Sequence, residues 1–275
     1  IVDVDRIDYG NCAIGAYIDY GKISLAKGSK IIIEKGDNII NSGGVGLYAV
    51  NGSSIVSNGD FEIYGNNATG VYSLTNRVAS SGEVIENEFG SQAIGQGTAS
   101  VINNGNINTY GDNSVGIFVE NNGSTKDNSL AKAYNNGIIN LLGESGIGIY
   151  GSNATITNEN EILSGNQGIG IYGKDGSIIE KVGVIKVGTG GTALALDETS
   201  NLNKSITELS FTSINSEVQE RKFGLFLQGE TPNSTKEINL KINGDSFENG
   251  ALLVANNIVL ENKGELKPGK LGIGI

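Results

Sequence analysis

The fold class this sequence predicts is all-β: a right-handed parallel β-helix of about ten turns, each of roughly 23 residues with three short strands. Three observations predict it. Small marker residues recur on a fixed beat, with Gly36, Gly59, Gly82 and Gly105 standing 23 residues apart and Gly137, Asn160 and Gly183 resuming at the same step. Apolar residues fall into three columns when the turns are aligned on those markers. A phrase of the type GIGIY returns once per turn.

The strand after each marker is identified by an apolar residue two positions on: Phe61, Val84, Ile107, Ile139, Ile162 and Ile185. The strand before it is identified four positions earlier by Ile55, Val78, Val101, Ala133, Ile156 and Ile179. Leu47, Val71, Ile117, Ile149, Ile171 and Leu194 form the third column, with Gln96 in the divergent turn. Alternation along each strand turns one residue inward, and parallel stacking sets like upon like.

The third strand reads GVGLY at 44–48, TGVY at 69–72, VGIF at 115–118 and GIGIY at 146–150 and 168–172; AIGQG at 93–97 and GTALA at 191–195 are degenerate copies. Its glycine column (Gly46, Gly70, Gly116, Gly148, Gly170) belongs beside a corner, where backbones approach closely. Tyr48, Tyr72, Phe118, Tyr150 and Tyr172 should stack as an aromatic ladder. Asn58, Asn103, Asn104, Asn135, Asn136 and Asn158, just ahead of the markers, predict an asparagine ladder. IGAY at 14–17 is an earlier copy of the phrase, and FGLF at 223–226, ALLV at 251–254 and LGIGI at 271–275 are later ones. Residues 1–275 therefore make one solenoid segment, regular over about 31–196 and irregular, with insertions, over 197–275. Left-handed hexapeptide helices and leucine-rich repeats are excluded, because neither a six-residue period nor helical periodicity is present.

A net charge of −11 argues against nucleic acid and anionic membrane surfaces. No apolar run is long enough for a membrane-spanning helix. The chain opens on Ile1 in mid-pattern, as expected of a piece of a longer protein. Cys12 is the single cysteine, so no intrachain disulfide forms, and it reads as a small buried hydrophobe.

Histidine is absent, which removes the commonest general base and most zinc or iron sites. Carboxylate pairs for glycoside hydrolysis would have to come from Glu83 and Glu86 with Asp60, or from Asp197 with Glu198; surface solubility accounts for these residues better. The glycine-rich phrases lack the aspartate of calcium-binding nonapeptides and open no helix for a nucleotide. No catalytic residue, metal or cofactor is assigned. What breaks the beat is more informative. The step from Gly105 to Gly137 is 32 residues, and 120–131 reads ENNGSTKDNSLA, a polar insertion. Insertions in solenoids protrude and carry recognition, so Asn121, Asn122, Lys126, Asp127 and Asn128 are the candidate partner-binding residues. Residues 17–30 and 197–222 are expected to make similar excursions.

The SNG-x-F/I-x-x-Y-G turn, the GIGIY strand and the Asn, Ile, Lys and Gly bias resemble the passenger region of fusobacterial large type V autotransporter adhesins, well over about 10–195 and loosely beyond. The resemblance implies an extracellular segment of a longer passenger, anchored to the outer membrane by a C-terminal β-barrel. It also implies a non-enzymatic role in attachment to a host-cell or bacterial surface protein or glycan. It transfers no binding residue, since it rests on scaffold positions. A spacer stalk and a carbohydrate-active lyase or glycosidase are the alternatives on the same fold.

Overall fold

A computed structural model describes residues 2–4, 13–19, 21–35, 43–75, 84–86, 92–94, 99–122, 127–214, 221–231, 234–270 and 272–274. It is a right-handed parallel β-helix with three sheets, of ten, nine and seven strands, wrapped about one core. The ten-stranded sheet starts with Val2–Val4 and Lys30–Ile33 and ends with Leu266–Lys267. The nine-stranded sheet runs from Ala13–Asp19 to Gly250–Asn256, and the seven-stranded sheet from Lys22–Leu25 to Asn201–Leu202. A further parallel pair, Ser234–Ile238 with Ile258–Asn262, stands apart from the seven-stranded sheet.

The three columns are the core. Ile31, Phe61, Ile107, Ile139, Ile162 and Ile185 follow one another in register along the ten-stranded sheet, all but fully buried. Ile55, Val101, Ala133, Ile156 and Ile179 do the same in the seven-stranded sheet, and Leu47, Val71, Ile117, Ile149, Ile171, Leu194, Leu225 and Leu253 in the nine-stranded one. The outlying phrases join correctly: Tyr17 pairs with Tyr48, Phe226 with Val254, and Ala251 bridges to Ile273.

The beat itself needs correction in the first half. The partner of Phe61 is Ile31, which puts the marker of that turn at Ser29 rather than Gly36. Phe61 next pairs with Ile107, so no rung lies between them. Val84 pairs instead with Ile94, in an antiparallel hairpin of Val84–Glu86 and Gln92–Ile94. Gly36, Gly82, Val78, Gln96 and Cys12 lie outside the described residues. Equivalent positions are therefore separated by 30 (61−31), 46 (107−61), 32 (139−107), 23 (162−139) and 23 (185−162) residues. Residues 76–98 form an excursion whose length equals one turn, which is why it keeps time with the markers. Residues 17–30 make no excursion, since Lys22–Leu25 and Lys30–Ile33 take ordinary places in their sheets.

At the markers the rungs approach so closely that a side chain is excluded: a Cβ on Gly105 would lie 2.0 Å from Gly59 O, and one on Gly137 1.8 Å from Gly105 O. Left-handed residues make the corners. Asn67, Asn113, Ser145 and Gln167, with φ of 54–56°, stack at the turn into the nine-stranded sheet.

Two asparagine ladders run beside each other. In the inner one, Asn103 Nδ2 donates to Asn135 Oδ1 at 2.8 Å and Asn135 Nδ2 to Asn158 Oδ1 at 2.7 Å. Each of the three amides also donates to the carbonyl two residues on, and Asn158 ends the row on Val182 O at 2.7 Å. The outer ladder links Asn104 to Asn58 and Asn136 to Asn104 at 2.9 and 2.8 Å in solvent. Burial separates their energetics, because an orphaned buried polar group costs far more than a lost exposed bond. Asn135→Ala is expected to destabilise the chain by about 2–3 kcal/mol and Asn136→Ala by under about 1 kcal/mol. Chemical denaturation of the two variants checks this, and equal losses would contradict the inner ladder's role.

Candidate recognition surface

The corner leading from the nine-stranded to the seven-stranded sheet is tight in most turns. Residues 51–53, 153–154 and 175–177 suffice to pass from one strand to the next. On two adjacent rungs it opens. Residues 76–98 leave after Thr75 and return at Ala99, and residues 122–130 leave after Asn121 and return at Ala131. The first excursion carries the hairpin, the one antiparallel pairing among the described residues. Both excursions thus leave the solenoid at one edge.

The second excursion is stitched down at its C-terminal end. Asp127 caps a 3-10 turn over Asn128–Leu130, accepting from Ser129 N at 2.9 Å, and the Ser129 hydrogen bonds hold its exposed carboxyl below the usual range. Asn121 is buried and its Nδ2 donates to Asp127 O at 2.8 Å. Asn128 Nδ2 donates to Gly176 O at 3.0 Å, while Asn128 O accepts from Thr155 Oγ1 at 3.0 Å. Leu130 O accepts from Thr75 Oγ1 at 3.3 Å. The loop is tied to the rung before it and to the two rungs after it. Asn121 and Asn128 are its anchors, Asn122 and Asp127 are exposed, and Lys126 lies outside the described residues.

The acidic residues weighed for catalysis are engaged in holding backbone. Asp60 Oδ1 accepts from Asn106 N at 2.8 Å. Burial pushes the Asp197 carboxyl up, but bonds from Ser200, Asp175 and Thr199 outweigh it and leave the group below its ordinary value. Glu198 Oε2 accepts from Glu230 N at 3.1 Å and from Ser234 Oγ. Lys236 completes this cluster. Its ammonium donates to Asp197 O at 3.2 Å, to Glu198 O at 3.4 Å and to Ser200 O. Desolvation lowers its pKa against the pull of Asp197 and Glu198. The seven-stranded sheet ends here, and one lysine head serves three carbonyls of the corner that leads into its last strand. Glu83 lies outside the described residues, as does the Glu86 side chain. No group of three or more metal-ligating side chains occurs among the described residues.

The outer face of the nine-stranded sheet is chemically unlike the other two. Tyr17, Tyr48, Tyr72, Phe118, Tyr150 and Tyr172 stack on successive rungs with centroids 4.4–5.5 Å apart. Ala195, Phe226 and Val254 continue the column. Beside it runs a second outward column that the sequence reading did not single out: Ile14, Val45, Thr69, Val115, Ile147, Ile169, Thr192 and Phe223. Its signal was the residue before each strand glycine. Neither column contains a charge. The ten-stranded sheet, by contrast, carries ion pairs between rungs, Lys30 with Glu62 at 3.2 Å, Lys186 with Glu161 at 2.6 Å and Lys267 with Asp245 at 2.7 Å. On the seven-stranded sheet Lys181 meets Glu159, and beside the separate pair Lys263 meets Glu237 at 2.8 Å.

No protein-family model, curated protein or solved structure matches this chain.

Burial, with Tyr172 and nearby carboxylates, pushes the Tyr150 hydroxyl up to about 12. Burial and Glu120, which accepts from the Tyr72 hydroxyl at 3.1 Å, push Tyr72 up as well. A raised folded pKa means that the fold favours the protonated phenol. Its contribution is therefore full below the ordinary value of 10 and is lost as pH climbs from 10 to about 12. Tyrosinate absorbance of the chain, less that of Tyr150→Phe, should show Tyr150 ionising late in this window. Ionisation of Tyr150 near pH 10 would contradict the packed ladder.

Proposed function

We propose that this chain is a passenger segment of a large type V autotransporter adhesin, a non-enzymatic scaffold that attaches to surface proteins or glycans of host cells or other bacteria. One observation carries the reading. The excursions 76–98 and 122–130 open on adjacent rungs of one corner, which residues 51–53, 153–154, 175–177 and 198–200 close with two or three residues each. Two excursions on adjacent rungs build a composite patch on a rigid edge, as recognition loops require. The repeat phrase supports the class, in which the segment stands outside the outer membrane and its β-barrel anchor lies elsewhere in the parent chain.

Support for a non-enzymatic role comes from the acidic and basic groups that might have done chemistry. Asp197 accepts from three backbone amides and the Thr199 hydroxyl, and Lys236 donates to three carbonyls. A general acid or base must instead reach a substrate proton. The absence of histidine points the same way.

Replacing residues 122–130 by the Asn-Gly-Ser corner of residues 51–53 keeps the strands and removes the loop. The circular-dichroism β signal is expected to persist while binding to host or bacterial cells falls. A second variant lacking 76–98 should fall likewise. Undiminished adhesion in both would leave the segment a spacer stalk.

A further inference from the structure

We infer that the outer face of the nine-stranded sheet is a docking surface for a second copy of this chain. Its two apolar columns carry no charged side chain over nine rungs, although charged residues make up 18% of the sequence. Charge reappears at the flank, where Asp19, Glu120 and Lys174 occupy the next outward register. Aromatic enrichment, charge depletion and a polar rim are the composition of an interface core and its border.

Size agrees. Nine rungs at about 4.8 Å and strands of six or seven residues at about 3.3 Å per residue give a face of roughly 40 by 20 Å. With its charged flank included, that is on the order of 800 Å² per copy, the area a standard stable interface covers on each partner.

The occupant follows from charge and shape. At −11, two copies repel over most of their surfaces, and this face lets them meet without apposing carboxylates. A partner of the same rung spacing matches it along its whole length. A two-fold axis parallel to the solenoid would lay the aromatic column of each copy on the aliphatic column of the other. A glycan fits less well, because the rings lie against one another at 4.4–5.5 Å and leave little free ring face for a sugar.

Sedimentation of the full chain under reducing conditions, across a range of concentrations, tests this. A concentration-dependent dimer is expected. Thr69→Lys with Thr192→Lys places ammonium groups in the face at positions already polar, and should weaken association by about tenfold or more. Asn140→Lys, on the ten-stranded sheet, should leave it unchanged. The more disruptive Ile147→Lys is to be read alongside its circular-dichroism spectrum. A chain that stays monomeric throughout, or a dimer lost in Asn140→Lys but kept in the threonine double variant, would overturn the proposal. So would monomers that bind a glycan array through a site abolished by Thr69→Lys, which would assign the face to carbohydrate.

Discussion

Parallel rungs about 4.8 Å apart force every side chain to share its space with the equivalent residue above and below. The rest of the structure depends on that constraint. An isoleucine over an isoleucine buries a column with no change of shape from turn to turn. An asparagine over an asparagine aligns each amide donor with the next amide acceptor, so Asn103 and Asn135 donate in turn to Asn135 and Asn158, and only the Asn103 oxygen at the start of the row has no partner among them. A charge over its like would repel; Lys30 stands against Glu62 and Lys186 against Glu161, and where Glu237 does lie over Glu261 the Lys263 ammonium reaches both. Even the glycines obey it: the carbonyl of one marker occupies the space where the next would hold a Cβ.

This constraint made the core legible. Columns are visible in a sequence because stacking repeats chemistry, and Ile107, Ile139, Ile162 and Ile185 were assigned to one line correctly. The count of residues between columns was a poorer guide. Stacking fixes where a strand must lie once it rejoins the sheet and leaves the length of chain between strands free. Hence 46 residues separate Phe61 from Ile107 without an intervening rung. An excursion as long as one turn is invisible to a period, and Val84 kept the beat while pairing with Ile94 in a hairpin. The strict spacing of 23 residues holds from Ile139 through Ile185, where the corners are short.

The candidate surface was legible in outline for the same reason and hidden in detail. A polar run such as ENNGSTKDNSLA announces a loop, because its residues cannot fill an apolar column. Which of them face solvent depends on how the loop is fastened. Asn121 and Asn128 look as available as Asn122 in the sequence, yet their amides hold Asp127 and Gly176 carbonyls. Lys236 was out of reach altogether. Its carbonyl partners lie 36–39 residues earlier, across an irregular turn in which no spacing rule operates.

The two kinds of exposed face need different explanations. Ion pairs between rungs whose two side chains are exposed, as Lys267 with Asp245, contribute no more than about 1 kcal/mol each, and their clear effect is to keep the face hydrated and unlike its neighbours. The tyrosine ladder has an internal rationale, since stacked or edge-on rings gain about 0.5–1.5 kcal/mol per contact beyond their burial. The column of Ile14, Val45, Val115, Ile147 and Ile169 gains from stacking as well, since all of these are covered over most of their surface. Threonine occupies the same register at Thr69 and Thr192 and pairs in the same sheet, so the register accepts a polar atom. What the two columns leave uncovered carries no charge, and a partner of the same rung spacing is what would cover it.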